Sequence, residues 1–293
     1  MKLLIYAMTE KGFTSLSAIL DHGFASLVCG VVIGQDAHLD DDFSGALTEL
    51  ASRHQLPVFE RNDPQIPQAE YALAISWRWM IPESSTKLIV LHDSLLPRYR
   101  GFAPLVNMLI NKEPEIGVTA LFAAKEYDRG DIIAQKSIPV NHPLRISDAI
   151  RMISDLYGTL CAELAGRISS GDVLKGTPQN EQDATYSLWR DEEDYRIDWN
   201  QDAERIQRMV YAVSSPYKGA YTQLSSGEKI RVLDAVPVPD VLIENRTPGK
   251  VIFVEDGFPV VVCGTGLLKL TEAVTDRTKE SALPFTSFRM RLS

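Results

Sequence analysis

Positive charge, cysteine and long apolar runs are all scarce in this 293-residue chain. Its 30 Lys and Arg residues are outnumbered by 39 Asp and Glu residues, which leaves a formal net charge of −9. This balance disfavours binding to a polyanion, because affinity for a phosphate backbone depends on clustered Lys and Arg. The three cysteines, Cys29, Cys161 and Cys263, are far apart. They indicate neither a disulfide framework nor a cysteine-based metal site, so we expect a reduced, cytoplasmic protein.

No apolar run approaches the roughly 20 residues that a membrane span needs, and the N-terminal residues are typical of a strand rather than a signal peptide. The composition is otherwise ordinary, with 45% hydrophobic and 24% charged residues, as in soluble globular proteins. Single cores usually stop growing near roughly 250 residues. The sequence therefore predicts two domains and no membrane partner.

Strand and helix patterns alternate over the first ninety residues. Apolar runs typical of buried strands occur at 2–8, 25–34, 57–59, 71–77 and 88–91, and amphipathic helices are predicted at 12–20 and 43–54. This alternation predicts an α/β fold with a doubly wound, mostly parallel, Rossmann-like sheet, which binds ligands beyond the carboxyl ends of its strands. His92 directly follows the last of these strands.

The second half of the chain changes character. A long helix is predicted at 146–169, and the polar stretch 177–185 reads as a surface linker. After a helix at 203–213, short apolar runs are punctuated by glycines, which is typical of a β-rich domain such as an OB-like barrel. We therefore expect a catalytic domain over residues 1–185 and a smaller β-rich domain over residues 186–293.

The stretch that indicates chemistry begins at the end of the strand. It reads His92-Asp93-Ser94-Leu95-Leu96-Pro97-Arg98-Tyr99-Arg100-Gly101, and is followed by Gly117-Val118-Thr119 and Tyr127-Asp128-Arg129-Gly130-Asp131. A histidine at a strand end can exchange a proton with a ligand, and a carboxylate beside it would orient the ring and hold it charged. An isolated histidine is more often satisfied by a neighbouring backbone group, so the residues alone leave both interpretations open.

The combination of these segments closely resembles the folate-dependent formyltransferase family. The resemblance rests on His-x-Ser-Leu-Leu-Pro-x-Tyr-Arg-Gly with Gly-Val-Thr and an Asp-x-Gly loop downstream. The spacing from His92 to Asp128 is similar to that in methionyl-tRNA and amino-sugar formyltransferases. Segments 195–199, 215–217 and 248–251 resemble the second domain of those enzymes.

The resemblance implies transfer of a formyl group from N10-formyltetrahydrofolate to an amine, without a metal. His92 and Asp128 would then be catalytic: His92 would contact the formyl oxygen, and Asp128 would help to move a proton from the attacking amine. Two loops would supply the donor-binding residues, which are Trp77, Trp79, Ser94, Leu95, Leu96, Pro97 and Gly101. Core packing is an equally good interpretation of the two tryptophans on their residues alone, whereas Arg100 reads as structural.

One position departs from the family pattern. The family places an Asn two residues before the histidine, where its amide donates to the developing oxyanion, and this chain has Val90. The loss of one such donor typically costs about two to three powers of ten in rate. Another group could compensate, or water could replace the amine and make a formyl-folate hydrolase. The chain could also be a folate- or nucleotide-sugar-binding protein with impaired catalysis.

The expected acceptor is a nucleotide-linked amino sugar. Methionyl-tRNA formyltransferases carry a basic insertion after the second strand, whereas residues 34–44 of this chain are short and acidic and would repel a nucleic acid. Methionyl-tRNA and a modified ornithine are the alternative amines. Residues 36–42, which include His38, suit a solvated helix start better than a metal site. The second domain could bind substrate, form a homodimer, or do both.

Overall fold

A computed structural model describes residues 1–36, 41–82, 84–285 and 289–293. His38 and part of the acidic run 36–42 lie outside these described residues, so the interpretation of that run as a solvated helix start stays a prediction. The chain forms two compact units. The first unit comprises 1–104, 115–139 and 150–187, and the second comprises 105–114, 140–149 and 188–293.

The described residues form five α-helices and fourteen strands. The helices are α1 Thr9–Asp21, α2 Ser44–Arg53, α3 Pro104–Ile110, α4 Ile146–Ser169 and α5 Ala203–Ala212. The first nine strands are β1 Leu3–Ala7, β2 Val28–Ile33, β3 Val58–Glu60, β4 Tyr71–Ile75, β5 Lys87–His92, β6 Arg100–Gly101, β7 Glu115–Phe122, β8 Ile132–Pro139 and β9 Tyr186–Ser187. The other five are β10 Ala220–Gln223, β11 Lys229–Val238, β12 Val251–Glu255, β13 Phe258–Val262 and β14 Leu267–Thr275.

The first unit contains a seven-stranded sheet in the order β3-β2-β1-β4-β5-β7-β8. The strands from β3 to β5 pair in parallel, and β7 and β8 are antiparallel additions at one edge. All five residues of β1 are buried, as expected for a strand covered on both faces. The prediction of a mostly parallel, Rossmann-like sheet is confirmed.

Helices α1 and α4 cover one face of this sheet. A Cβ added at Gly12 of α1 would lie 3.0 Å from the Cβ of Ala7, so the helix approaches β1 closely. A Cβ added at Gly158 of α4 would lie 3.3 Å from the Cβ of Ala18 in α1. The phenol of Tyr157 in α4 donates to the carbonyl of Leu91 at 3.1 Å, and so α4 lies directly over β5.

The observed strand β2 begins three residues later than the strand predicted at 25–34. Residues Ala25–Leu27 form a 3₁₀ turn, and β2 begins at Val28. Val28 pairs with Leu3, the first residue of β1. The residues before Val28 therefore lie beyond the end of the neighbouring strand, and the ladder hydrogen bonds that would hold them extended have no partner on β1.

The second unit contains a five-stranded antiparallel sheet in the order β10-β11-β14-β13-β12. Helix α5 packs on it, with the side-chain amide of Gln207 donating to the carbonyl of Ala235 at 2.9 Å. Val260, Val262 and Leu267 form a buried apolar cluster on the sheet. The prediction of a β-rich second unit is confirmed.

Within the described part of the chain, no helix has both the length and the apolar character that a membrane span requires. Across those same residues, no group of three or more His, Cys, Asp or Glu side chains is placed to hold a metal ion.

Candidate active site

His92 is the last residue of β5, and its imidazole is almost completely buried. Its Nε2 lies 2.8 Å from the carbonyl oxygen of Tyr99. A carbonyl oxygen can only accept a hydrogen bond, so Nε2 must carry a proton. The loop after β5 therefore orients the ring and leaves Nδ1 as its other functional atom.

Asp128 faces that second nitrogen. Its Oδ1 lies 3.5 Å from Nδ1 of His92, and the two side chains are only 12% and 9% exposed. Its Oδ2 accepts the backbone N–H of Gly101 at 2.8 Å. Both ring nitrogens thus face oxygen acceptors, one on the backbone and one on a carboxylate. A buried imidazole beside a buried carboxylate is an arrangement that can pass a proton to or from a ligand.

The backbone around Asp128 explains how the carboxylate reaches this place. Asp128 has a φ of +58°, in the left-handed region that Asp tolerates better than most residues. Gly101 has a φ of +98°, and an added Cβ there would lie 2.6 Å from the carbonyl oxygen of Ser187. Glycine is therefore required at the residue whose N–H holds the Asp128 carboxylate.

The loop from Ser94 to Gly101 is ordered by Thr119 and Gln135, which belong to β7 and β8. The Thr119 hydroxyl donates to the Ser94 carbonyl at 2.6 Å and accepts the N–H of Leu96 at 3.1 Å. Gln135 donates to the Leu96 carbonyl at 2.9 Å and to the Thr119 hydroxyl at 2.8 Å. These bonds explain why the Gly-Val-Thr motif accompanies the histidine loop.

Asp93 directly follows β5, and its side chain contacts helices α4 and α1 instead of Asp128. Its Oδ1 accepts the phenol of Tyr157 at 2.5 Å, and its Oδ2 forms an ion pair with Lys11. Burial opposes the charged form, but Lys11 and the hydrogen bonds outweigh it and hold the pKa of Asp93 below its usual range. Burial, and then the charge of Asp93, raise the pKa of Tyr157 well above its usual value.

The predicted donor-binding residues fall into two groups. Ser94 and Leu96 are buried, and the Ser94 hydroxyl donates to the Arg98 carbonyl at 2.7 Å. Leu95, Pro97 and Gly101 are partly exposed. An added Cβ at Gly117 would lie 2.6 Å from a methyl of Leu95, so that side chain lies over β7. The structure thus brings this loop next to His92 and Asp128, and its contact with a donor stays a prediction.

Trp77 and Trp79 follow β4 and contact each other edge to face, with ring centroids 5.1 Å apart. The Trp77 ring also lies 5.2 Å from that of Tyr6 and packs on an apolar cluster of the sheet. The guanidinium of Arg61 lies 4.8 Å from the Trp79 ring. Trp77 therefore contributes to the core, while both rings keep partly exposed surfaces.

Val90 lies two residues before His92, and therefore on the same face of β5. Its partners in the sheet are Ala74 on β4 and Leu121 on β7. These three side chains are apolar. They can shape the sheet surface beside His92, but they cannot donate hydrogen bonds to a ligand there.

The chain is thus an α/β protein with a buried His–Asp pair at the end of a central strand of its parallel sheet, which is where ligands bind in such folds. A family model described as "Formyl transferase" matches residues 66–156, which include His92 and Asp128. A second model, described as "Formyl transferase, C-terminal domain", matches residues 190–286. The two matches cover more than half of the chain, and the chain belongs to the formyl transferase family.

Solved structures share the fold. HypX from Aquifex aeolicus, determined in complex with tetrahydrofolic acid, is 23% identical over 97% of this chain, with a TM-score of 0.60. This chain covers 45% of HypX, or about half of its length. An N-formyltransferase from Helicobacter canadensis is 20% identical, with 92% of this chain and 98% of that one covered and a TM-score of 0.69. Methionyl-tRNA formyltransferase from Clostridium thermocellum is 17% identical, with coverages of 80% and 93% and a TM-score of 0.56.

Proposed function

We propose that this protein transfers the formyl group of N10-formyltetrahydrofolate to the amine of a nucleotide-linked amino sugar. The observation that carries the proposal is the buried pair of His92 and Asp128, 3.5 Å apart, in a chain that belongs to the formyl transferase family. We assign the chemistry to the domain expected at residues 1–185, which contains both residues.

The pair suits the proton movements of this reaction. The donor supplies a formyl carbon attached to N10; a bond forms from the acceptor nitrogen to that carbon, the bond to N10 breaks, and one amine proton ends on N10. Nε2 of His92 donates to the carbonyl of Tyr99, so Nδ1 is the ring atom left to the ligand, and an N–H there can donate to the formyl oxygen as negative charge develops on it. The Oδ1 of Asp128 can accept the proton of the attacking amine.

The partly exposed members of the two predicted loops suit the flat ring faces of the donor. Pro97 and Gly101 lie on the loop that holds His92, and Trp77 and Trp79 follow the adjacent strand β4. Aromatic and apolar surfaces are the usual lining of small-molecule sites. In support, the HypX structure contains tetrahydrofolic acid, and the Helicobacter canadensis enzyme was determined with folinic acid.

Two observations support a nucleotide sugar as the acceptor. The Helicobacter canadensis structure also contains dTDP-3-aminofucose, and a second similar structure is WlaRD, a sugar 3N-formyl transferase determined with dTDP and 5-N-formyl-THF. The net charge of −9 and the acidic residues 34–44 oppose binding of a polyanion such as tRNA. We also expect the second domain to bind this substrate, to join two copies into a homodimer, or both.

A formyl-folate hydrolase is the second candidate, and Val90 is the observation that favours it. Val90, Ala74 and Leu121 leave the surface beside His92 apolar. If this surface leaves too little space for the acceptor amine, water can attack the formyl carbon instead. The two candidates differ in whether release of tetrahydrofolate depends on an amine.

The proposal is tested with purified protein, N10-formyltetrahydrofolate and a panel of dTDP- and UDP-linked amino sugars. Tetrahydrofolate release and the mass of the sugar are followed together. Release that requires one acceptor, with the mass gain of one formyl group, is the expected result. Release at the same rate without any acceptor would identify a hydrolase and refute the transferase.

A Val90→Asn variant tests the apolar surface beside His92. An Asn side chain there would point to the same face as the His92 ring and offer an N–H to the formyl oxygen. Because one such donor is typically worth about two to three powers of ten in rate, we expect kcat for formyl transfer to rise by at least about tenfold. Val90→Leu, which changes the shape without adding a donor, is the control. A Val90→Asn enzyme no faster than Val90→Leu would contradict the prediction.

A further inference from the structure

Residues 176–187, which we call the brace segment, hold both loops of the proposed site. The sequence predicts a surface linker over 177–185; the segment does lie at the surface, but it is bonded along its length. Thr177 exchanges two backbone hydrogen bonds with Ile132, at 2.8 Å each. The Thr185 hydroxyl accepts the N–H of Tyr99 at 2.9 Å, and β9 pairs with β6. The brace segment thus runs from the Asp128 loop to the His92 loop.

Gln179 lies at the centre of the brace segment and contacts both loops with one side chain. Its Nε2 donates to the carbonyls of Asp128 at 2.7 Å and Gly130 at 2.8 Å. Its Oε1 accepts from Nη2 of Arg100 at 2.7 Å and from Nε at 3.1 Å. Two acceptors on one side and a cation on the other determine the orientation of this amide.

Arg100 is completely buried and uses all of its hydrogen-bond donors inside the brace. Besides Gln179, its guanidinium contacts the two carboxylate oxygens of Glu181 at 2.8 and 2.9 Å and the Tyr186 phenol at 3.2 Å. The five N–H groups of an arginine thus meet five acceptor contacts. The expectation that Arg100 is structural is confirmed, and its partners all belong to the brace segment.

These bonds close a ring around the catalytic carboxylate. Arg100 precedes Gly101, whose N–H holds Oδ2 of Asp128, and Gln179 connects Arg100 to the backbone carbonyl of Asp128 itself. Asp128 is therefore held both at its backbone carbonyl and at its side-chain carboxylate. We propose that Gln179 is a positioning residue that holds Asp128 against His92. Its effect on turnover rests on the proposed function, whereas its effect on the geometry of the pair does not.

The test compares Gln179→Ala with Gln182→Ala, which removes an exposed amide three residues further along the same segment. Both variants and Asp128→Asn are prepared with ¹⁵N-labelled histidine, and the His92 imidazole resonances are assigned by their absence from His92→Asn. We expect the Nδ1 resonance of His92 in Gln179→Ala to move toward its position in Asp128→Asn. In Gln182→Ala it should stay at the wild-type position.

Kinetics give a second readout on the same proteins. A misplacement of about 1 Å far from the chemistry can cost up to about 100-fold. We expect Gln179→Ala to lower kcat by about 10- to 100-fold while KM for the donor stays within about twofold, because the donor contacts are untouched. An equal loss through KM alone would contradict a positioning role.

Gln179→Glu keeps the size of the side chain and covers the case in which Gln179→Ala does not fold. It retains an acceptor for Arg100 but turns a carboxylate oxygen toward the carbonyls of Asp128 and Gly130, so we expect the same displaced His92 resonance. A wild-type His92 spectrum in folded Gln179→Ala or Gln179→Glu would overturn the inference. A wild-type enzyme that transfers no formyl group would refute the proposed function alone, since the spectra do not depend on turnover.

Discussion

Formyl transfer by an Asp128→Asn variant is expected to be about 10²- to 10⁴-fold slower than by the wild type, the usual contribution of a positioned acid or base. The amide retains the size of the carboxylate and can still accept the N–H of Gly101 through its oxygen. It is neutral, and it cannot accept a proton from the attacking amine as a carboxylate can. We expect a loss of similar size in His92→Ala, because that variant lacks the other half of the pair.

Asp131→Asn is the matched control, since Asp131 is an exposed carboxylate three residues further along the same loop. Its rate should stay within about twofold of the wild type. The melting temperature of Asp128→Asn should also stay near that of the wild type, which separates loss of chemistry from loss of folding. A wild-type rate in Asp128→Asn or in His92→Ala would refute the assignment of the site.

Lys11→Met is expected to lower the free energy of unfolding at pH 7 by about 3 kcal/mol, because removal of one partner leaves a buried charge uncompensated. Lys11 and Asp93 form an ion pair whose side chains are only 15% and 19% exposed. Methionine retains most of the apolar length of the lysine side chain and therefore removes mainly the charge. Tyr157 still donates to Asp93 in this variant and moderates the loss. Urea denaturation of the two proteins measures the difference.

At acidic pH, the difference in the free energy of unfolding between the wild type and Lys11→Met should become smaller. The folded-state pKa of Asp93 is held below its usual range, so its ionised form stabilises the fold above the unfolded-state pKa. That contribution is lost as the pH falls through the folded-state pKa. The stabilities of the wild type and Lys11→Met should therefore converge below about pH 4. Lys125→Met, at an exposed loop lysine, should change stability by no more than about 0.5 kcal/mol at any pH. Equal stability of Lys11→Met and the wild type at pH 7 would contradict a stabilising role of the pair of Lys11 and Asp93.

The local pattern of apolar and polar residues was sufficient to predict most strands of the first sheet. The continuous apolar run of β1 and the amphipathic period of α4 each have clear ends, and α4 occupies the predicted residues Ile146–Ser169. The prediction was wrong at Ala25–Leu27, which are apolar enough for a strand. Their structure depends on where the neighbouring β1 begins, and that is a property of the pairing and not of the segment itself.

The residues in and around the site also fall into two groups, those that the sequence indicates and those that only the fold reveals. His92 and Asp128 were found through a motif that stays within 40 residues of the chain, and the structure places them together. Lys11 and Tyr157 are 82 and 64 residues away from Asp93, in helices whose pattern indicates only that one face is buried. Gln179 lies in a polar stretch that carries the composition of a linker. Only the fold shows that this stretch returns to the two loops of the site.

The function that we propose for the pair of His92 and Asp128 is to move a formyl group from folate to an amine. Its most direct test follows the carbon of ¹³C-formyl-labelled N10-formyltetrahydrofolate by NMR, with the enzyme in excess and a dTDP-linked amino sugar present. We expect the label to appear as a formamide on the sugar with the wild type, and to stay on folate over the same time with Asp128→Asn. Label recovered as free formate, or transferred equally by both proteins, would contradict it.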